Sequence, residues 1–371
     1  MDNLFLKATL KGQRFNDHAL PLQLARDFIA YEDLIVELAK HIYKKENPGR
    51  ERVLRGFTER FSLQLKSIGE GSTVIALERH SEPDLLLGTD YFTIARNQIN
   101  DLIQGVSTSQ DILKGFPVNL LGYFDKFGQS IREDEELELS IPNRQSATYT
   151  REIRRILVSR SSKPEISDWI TLRGSITEVD AKKNTFTISP ITGKLLPTEI
   201  PEGFWDIVSQ ALNSYRAEQG KVAVQCLVVY DSTGMIKRID EIKHIELLDP
   251  LDIQARVQEI SLLKDSWMDG EGLAPTEEFL KWLTDSFASS YPKDLPLPCI
   301  YPALDGGVSL EWSNPNWEIS LLIPPNHQDC TLSIFDATKE KHNEQSIHLD
   351  SEDGKKLLFN AIYPLVGEAG K

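Results

Sequence analysis

Cysteine is scarce in this chain of 371 residues, which contains only Cys226, Cys299 and Cys330. These three are far apart, and the sequence has no Cys-x-x-Cys pair and no Cys/His spacing of the kind that holds zinc. An odd number of dispersed cysteines does not indicate a disulfide framework, so we expect reduced thiols in an intracellular compartment. The sequence predicts neither a metal nor a cofactor.

Long apolar segments are also lacking. No run approaches the roughly 20 residues that span a bilayer. The N-terminus has an acid, Asp2, and then mixes apolar residues with lysines, whereas a secretory signal needs a basic start and an apolar block. We therefore predict a cytoplasmic protein that does not enter a membrane.

Positive charge is in deficit, with 41 lysines and arginines against 56 acidic residues and a net charge of −15. Binding to a nucleic-acid duplex depends on basic residues that neutralise phosphates. The composition argues against a general phosphate-binding surface but leaves a local basic face open. The excess of acid also suits a protein that docks on a basic partner.

The stretch from residue 166 to residue 249 has the clearest organisation. The predicted elements are strands at 166–179, 185–189 and 194–200, a helix at 204–216, and strands at 221–230 and 235–247. This is the element order of a small Greek-key barrel of the OB type. Gly174 lies midway along the first strand, where a barrel strand commonly bends. Because aromatic and basic residues are sparse on strands two and three, a structural or protein-docking role is favoured over oligonucleotide binding.

The segments on both sides mix helices with strands, so we predict an α+β protein of three domains. These are an N-terminal α+β domain (1–162), an OB-like five-stranded barrel with one helix (163–249) and a C-terminal two-layer α+β sandwich with an antiparallel sheet (250–371). Predicted helices include 22–45, 116–131 and 351–363. A turn at 69–71 joins two N-terminal strands, and four C-terminal strands are predicted at 299–301, 307–312, 317–323 and 331–335.

Two basic clusters are candidates for contacting phosphate or nucleic acid. The first consists of Lys44, Lys45, Arg50, Arg52, Arg55 and Arg60, and the second of Arg151, Arg154, Arg155 and Arg160. Neighbouring glutamates, among them Glu46 and Glu152, favour the alternative of a solvated charged face with local ion pairs. Few aromatic residues that could stack on bases lie among them.

Three acidic residues, Asp269, Glu271 and Glu311, are candidates for a metal or for acid–base chemistry. The spacing of Asp269 and Glu271 is short, no EF-hand pattern surrounds them, and no histidine follows at helical spacing. We prefer a loop in which Trp267 packs while the neighbouring glycines make the turn. Nothing near Glu311 supplies a nucleophile or an oriented base.

Several motifs resemble one family of proteins. Residues 267–272 (WMDGEG), 298–302 (PCIYP), 305–308 (DGGV) and 310–312 (LEW) are similar to a C-terminal module of uncharacterised bacterial proteins, and residues 68–72 (IGEGS) are similar to their N-terminal part. Such proteins are associated with mobile, toxin–antitoxin-like or phage-defence gene neighbourhoods. The resemblance implies no catalytic residue.

Three functions remain in view. The favoured one is a non-enzymatic cytosolic accessory protein (an antitoxin, immunity or defence-system subunit) that docks on a protein partner encoded nearby. The second is a metal-dependent nuclease or other hydrolase that uses the acidic residues. The third is a single-stranded nucleic-acid-binding protein that uses the barrel and the N-terminal basic clusters. The sequence does not specify the partner or the oligomeric state.

Overall fold

The computed structural model describes residues 4–16, 19–50, 52–59, 61–69, 73–80, 89–107, 115–216, 220–231 and 233–366. It confirms an α+β protein with three antiparallel sheets of five strands each, of which one curls into a half-barrel. The chain divides into two compact units. The first unit is Met1–Ile170 with Leu227–Glu241, and the second is Thr171–Cys226 with Ile242–Lys371. The boundaries of the three predicted domains stay a prediction.

The first sheet belongs to the first unit. Its strands are β1 (Leu4–Lys11), β2 (Leu63–Gly69), β3 (Thr73–Arg79), β4 (Glu136–Ser140) and β5 (Ala147–Tyr149), in the order β2-β3-β1-β4-β5. The α-helices are α1 (Leu22–Glu46), α2 (Tyr91–Ser107) and α3 (Arg151–Ser159), and a short 3-10 helix covers Gln13–Phe15. The turn predicted at 69–71 lies largely outside the described residues. None of the described helices of the chain has the length and apolar character needed to cross a membrane.

Helix α1 follows directly from its sequence period. Apolar side chains recur every three or four residues, which places them on one stripe of a helix. The stripe is buried, as predicted, and comprises Leu24, Phe28, Tyr31, Ile35, Leu38 and Ile42. The helix ends where Asn47-Pro48-Gly49 cannot continue it, and Asn47 donates a side-chain hydrogen bond of 2.8 Å to the carbonyl of Tyr43.

The helix predicted over residues 116–131 is wrong. The chain instead forms a 3-10 helix at Val118–Asp125 and then turns through residue 130. Gly128 adopts φ 82°, and a Cβ at this position would lie 2.4 Å from the Tyr149 ring. Because the Phe127 and Tyr149 rings stack at 4.7 Å, the chain needs a glycine here to leave room for Tyr149.

The second sheet has the strand order β10-β9-β6-β7-β8. Its elements are β6 (Ile166–Asp180), β7 (Thr185–Pro190), β8 (Leu196–Glu199), α4 (Trp205–Arg216), β9 (Val222–Tyr230) and β10 (Ile236–Leu247). The fourth strand of the five lies beside the first, which is the Greek-key order. Gly174 pairs with Pro190, and a Cβ on Gly174 would lie 2.1 Å from the Ser189 carbonyl oxygen, so only glycine fits.

The third sheet lies in the second unit, and its strands follow chain order. The elements are α5 (Ile253–Ile260), α6 (Glu277–Trp282) with a π-helical continuation at Leu283–Ala288, then β11 (Cys299–Pro302), β12 (Val308–Asn314), β13 (Trp317–Ile323), β14 (Cys330–Asp336), β15 (Lys341–Ile347) and α7 (Glu352–Val366). Helices and strands share one apolar core. Strand β15 was not predicted, because nearly all of its side chains are exposed and polar.

Two buried tyrosines of the first unit differ in one respect that can be tested. Both rings are almost inaccessible to solvent. The Tyr149 hydroxyl donates a 2.8 Å hydrogen bond to the Phe127 carbonyl, whereas no group in the described part of the chain is within hydrogen-bonding distance of the Tyr31 hydroxyl. A buried polar group without a partner lowers the stability of the folded state.

We predict that Tyr31→Phe leaves the free energy of unfolding unchanged or raises it by up to about 1 kcal/mol, because it removes a buried hydroxyl that has no partner. Tyr149→Phe, the matched control, should lower this free energy by about 1–3 kcal/mol, because the Phe127 carbonyl loses its donor. Denaturant unfolding measures both. Equal losses of unfolding free energy in the two variants would show that the Tyr31 and Tyr149 hydroxyls do not differ in their hydrogen bonding.

Candidate protein-docking surface

The first basic cluster lies at the C-terminal end of α1 and in the loop that follows. Lys44 and Lys45 are exposed in the last helical turn, where positive charge interacts favourably with the helix dipole. Arg50 donates a 3.0 Å hydrogen bond to the Tyr43 hydroxyl. Arg52 and Arg55 are also exposed, and Arg60 lies outside the described residues. Phosphate binding by this cluster stays a prediction.

Three arginines of the second basic cluster lie on α3, where carboxylates from elsewhere in the first unit pair with them, and Arg160 is exposed at the C-cap of the helix. Arg151 contacts Glu133 at 3.0 Å and Asp168 at 2.6 Å. Arg155 lies 3.4 Å from Glu133. These partners are distant in sequence, so the ion pairs join separate segments and are not the local pairs expected along the helix.

Arg154 corrects the expectation of a phosphate contact, because its side chain is 0% exposed. The guanidinium donates to the carboxylates of Asp125 (2.9 Å) and Asp168 (2.7 Å) and to the main-chain carbonyl of Ser167 (2.6 Å). It also donates to the carbonyls of Phe124 and Asp125 at 3.2 and 3.1 Å. A buried arginine needs this complete set of acceptors, and none of its charge reaches the surface.

The same polar network extends through neighbouring side chains. Asp125 accepts hydrogen bonds of 2.7 Å from both the main-chain N–H and the hydroxyl of Ser167, to which Gln129 also donates. Close by in the chain, Ser130 donates to Asp27 through its N–H and its hydroxyl at 3.1 Å each. Burial raises the pKa of Asp27 to about 7. This network joins helix α1, the segment 124–130, helix α3 and the start of β6 within the first unit.

The acidic candidates lie on two different elements. Glu311 is exposed on β12, where its neighbours across the sheet are Cys299 and Ser320. Asp269 and Glu271 are exposed in the loop before α6. Within the described ranges, no group of three or more metal-binding side chains is arranged to hold an ion.

The loop that contains Asp269 and Glu271 is a tight, hydrogen-bonded hairpin. Ser266 N–H donates to the Gly272 carbonyl at 2.7 Å, and Met268 and Glu271 exchange main-chain hydrogen bonds of 3.0 and 2.8 Å. A Cβ on Gly272 would lie 2.6 Å from Trp267 Nε1, and this indole N–H donates to the Leu273 carbonyl at 3.2 Å. The prediction that Trp267 packs while glycines make the turn is confirmed.

A second turn, residues 303–307, lies against this hairpin. Ala303 N–H donates to the Gly307 carbonyl at 2.9 Å, and Asp305 accepts from Gly307 N–H at 2.9 Å. The two turns are joined by a 2.9 Å hydrogen bond from Leu273 N–H to the Leu304 carbonyl. The structure thus brings together the motifs at 267–272 and 305–308, which are more than 30 residues apart in the sequence.

These turns expose large apolar side chains. Leu273, Leu304 and Met268 are 57%, 53% and 51% exposed. The sequence does not predict a role for either leucine. Leu273 directly follows one glycine turn, Leu304 directly precedes the other, and neither belongs to a periodic pattern. We name the three residues, together with the exposed carboxylates Asp265, Asp269, Glu271 and Asp305, the double-turn surface. Lys264 is the only basic residue within segments 264–274 and 303–307.

The double-turn surface combines two properties of binding sites. Single exposed apolar residues are normal on a protein surface, but several on adjoining turns indicate a contact region. The main-chain hydrogen bonds hold the turns in one conformation, so little ordering entropy is lost when a partner binds.

No known protein family, curated protein or solved structure shows a significant match to this chain.

We predict that Gly272→Ala disrupts the hairpin and lowers the free energy of unfolding by about 1–3 kcal/mol. Gly272 has φ 88°, and the added methyl group would displace the Trp267 ring. Gly270→Ala is the matched control, because Gly270 has φ 91° and nothing lies within 4 Å of its Cβ position. The backbone strain caused by alanine should be similar at the two positions.

Tryptophan fluorescence separates the two variants. Gly272→Ala should change the emission of Trp267, and Gly270→Ala should leave it nearly as it is in the unmodified protein. A Trp267 signal that is the same in both variants would show that the indole does not pack on Gly272.

Proposed function

We propose that the protein is a non-enzymatic accessory subunit that docks on a protein partner through the double-turn surface. The observation that supports this most is the exposure of Leu273 and Leu304 on two turns that are hydrogen-bonded to each other. Interfaces depend on a few apolar or aromatic anchors that become fully desolvated on binding. Anchors on a preorganised backbone give more affinity than the same residues on a mobile loop.

The partner carries a basic rim around an apolar contact. Four carboxylates accompany the apolar residues of the double-turn surface, and the whole chain has a net charge of −15. Complementary charge at the rim accelerates association and excludes acidic competitors such as nucleic acid. A protein with an exposed apolar patch bordered by lysine or arginine therefore fits this surface.

The second sheet has a scaffold role in this proposal. The Greek-key order of β9-β6-β7-β8, with α4 between β8 and β9, supports an OB-like barrel in which β6 is the longest strand. Residues 267–272 and 305–308, two motifs that resemble those of bacterial proteins from mobile, toxin–antitoxin-like or phage-defence gene neighbourhoods, lie on one surface. This supports the proposal of an antitoxin, immunity or defence-system subunit. In that setting the partner is encoded nearby.

Co-purification from the native host, with the protein tagged and expressed together with its neighbouring genes, tests the proposal. The double variant Leu273→Ser, Leu304→Ser should lose the partner, with affinity reduced at least about tenfold, because two apolar anchors are removed. Folding of the variant is checked by its unfolding transition.

Leu322→Ser is the matched control, because Leu322 is 43% exposed on β13 of the same unit and lies outside the double-turn surface. It should retain the partner as the unmodified protein does. The proposal fails if no specific partner is retained, or if the double variant and the control retain it equally.

A further inference from the structure

A positively charged surface lies at the C-terminal end of α1, and the proposed docking function does not use it. Residues 44–55 form this basic surface, and their five basic side chains are all exposed: Lys44, Lys45, Arg50, Arg52 and Arg55. None of the five forms an ion pair with another described residue of the chain. The segment contains only two acidic residues, although acidic residues outnumber basic ones by 15 in the whole chain. The basic surface therefore reverses the charge of the protein locally and attracts an acidic contact.

The basic surface is held in one conformation by hydrogen bonds and by a buried ring. Arg50 donates through its main-chain N–H to the Asn47 carbonyl at 2.9 Å and through its guanidinium to the Tyr43 hydroxyl at 3.0 Å. Phe57 N–H donates to the Leu54 carbonyl at 3.1 Å, and the buried Phe57 ring lies 5.4 Å from that of Tyr43. Because the backbone is already ordered, little ordering entropy is lost when a second molecule binds.

An apolar side chain lies among these charges. Leu54 is 36% exposed, and arginines stand two residues before it and one residue after it. The one aromatic residue of segment 44–57 is Phe57, which is buried, so the described part of this segment offers no exposed ring on which a nucleobase could stack. An exposed leucine bordered by arginines fits a protein surface of apolar residues and carboxylates better than it fits nucleic acid.

The double-turn surface is complementary to the basic surface. Leu273 and Leu304 supply exposed apolar side chains, and four exposed carboxylates accompany them. Arginine and carboxylate groups match in geometry as well as in charge. Charges more than about 8 Å apart are largely screened at physiological ionic strength, so the charges at the contact outweigh the general repulsion between two acidic copies. The chain thus contains both halves of the contact that the docking function requires.

We propose that the double-turn surface of one copy of this chain binds the basic surface of a second copy when the docking partner is absent. The inference rests on the proposed docking function, because it assigns a second occupant to the same surface. The contact is heterologous, since two different surfaces meet, and every added copy leaves one surface of each kind open. The partner competes with a second copy, so docking requires that the second copy be displaced.

Sedimentation velocity of the purified full-length protein, over an about hundredfold range of concentration, tests this without a partner. The average mass should rise with concentration, and added salt should lower it, because salt screens the charges at the contact. Arg52→Glu combined with Arg55→Glu should weaken self-association at least about tenfold, because carboxylates then face carboxylates. Leu273→Ser combined with Leu304→Ser should weaken it by a similar factor, because two apolar anchors are lost.

A mixture of these two double variants identifies the contact. Each variant keeps the surface that the other has lost, so the mixture should form a complex of one copy of each that does not grow further. Lys126→Glu combined with Lys163→Glu is the matched control for the arginine variant, because both lysines are exposed in the first unit and lie outside residues 44–55. It makes the same change in net charge and should associate as the unmodified protein does.

The mass of a single chain at every concentration would overturn the proposal, as would a mixture of the variants that does not associate, or a control that weakens association as much as the arginine variant. A third result would assign the basic surface to nucleic acid instead: binding of a single-stranded oligonucleotide that the arginine variant abolishes while its self-association is unchanged. None of these measurements depends on partner retention in the native host, so the two proposals can fail separately.

Discussion

A guanidinium without access to solvent has to find every hydrogen-bond acceptor inside the protein, and Arg154 imposes this requirement on the first unit. Its acceptors are two carboxylates and three main-chain carbonyls from segments 124–125 and 167–168. Removal of such a residue would leave the Asp168 charge buried with one partner fewer, which is strongly destabilising. The interaction also explains why the α-helix predicted over residues 116–131 does not form. The carbonyls of Phe124 and Asp125 bind Arg154, whereas a continuing α-helix would use them for its own hydrogen bonds.

The second unit depends on aromatic N–H and O–H groups that bind main-chain carbonyls. Trp267 fixes one exposed hairpin through the Leu273 carbonyl, and Trp312 with Tyr291 fixes the segment around Pro296. In both places a rigid irregular segment lies at the surface beside carboxylates. Loops on a stable scaffold are the usual location of binding residues, because they project side chains without disturbing the core. The proposed docking of a partner at the double-turn surface rests on this arrangement.

Much of the fold could be predicted from the sequence, and the failures have physical causes. Helix α1 and the strands of the second sheet have clear apolar periods, so the predicted bounds nearly match the observed ones. Strand β15 has no such period, because it lies at the edge of its sheet with its side chains in solvent. The sequence predicts Arg154 at the surface, because a charged residue among arginines gives no sign of acceptors 13 to 30 residues away. The double-turn surface depends on one main-chain hydrogen bond between distant turns, which no local pattern reveals.

Site-specific photo-crosslinking tests the proposed docking surface most directly. A benzophenone amino acid placed at Leu304 reports which molecule contacts this side chain in the native host, and the same amino acid at Leu357, an exposed position of α7, serves as the reference. The account predicts one specific protein adduct from position 304, with no corresponding adduct from position 357, and a basic region of that protein at the crosslinked site. No adduct at position 304, or the same adducts from both positions, would contradict it.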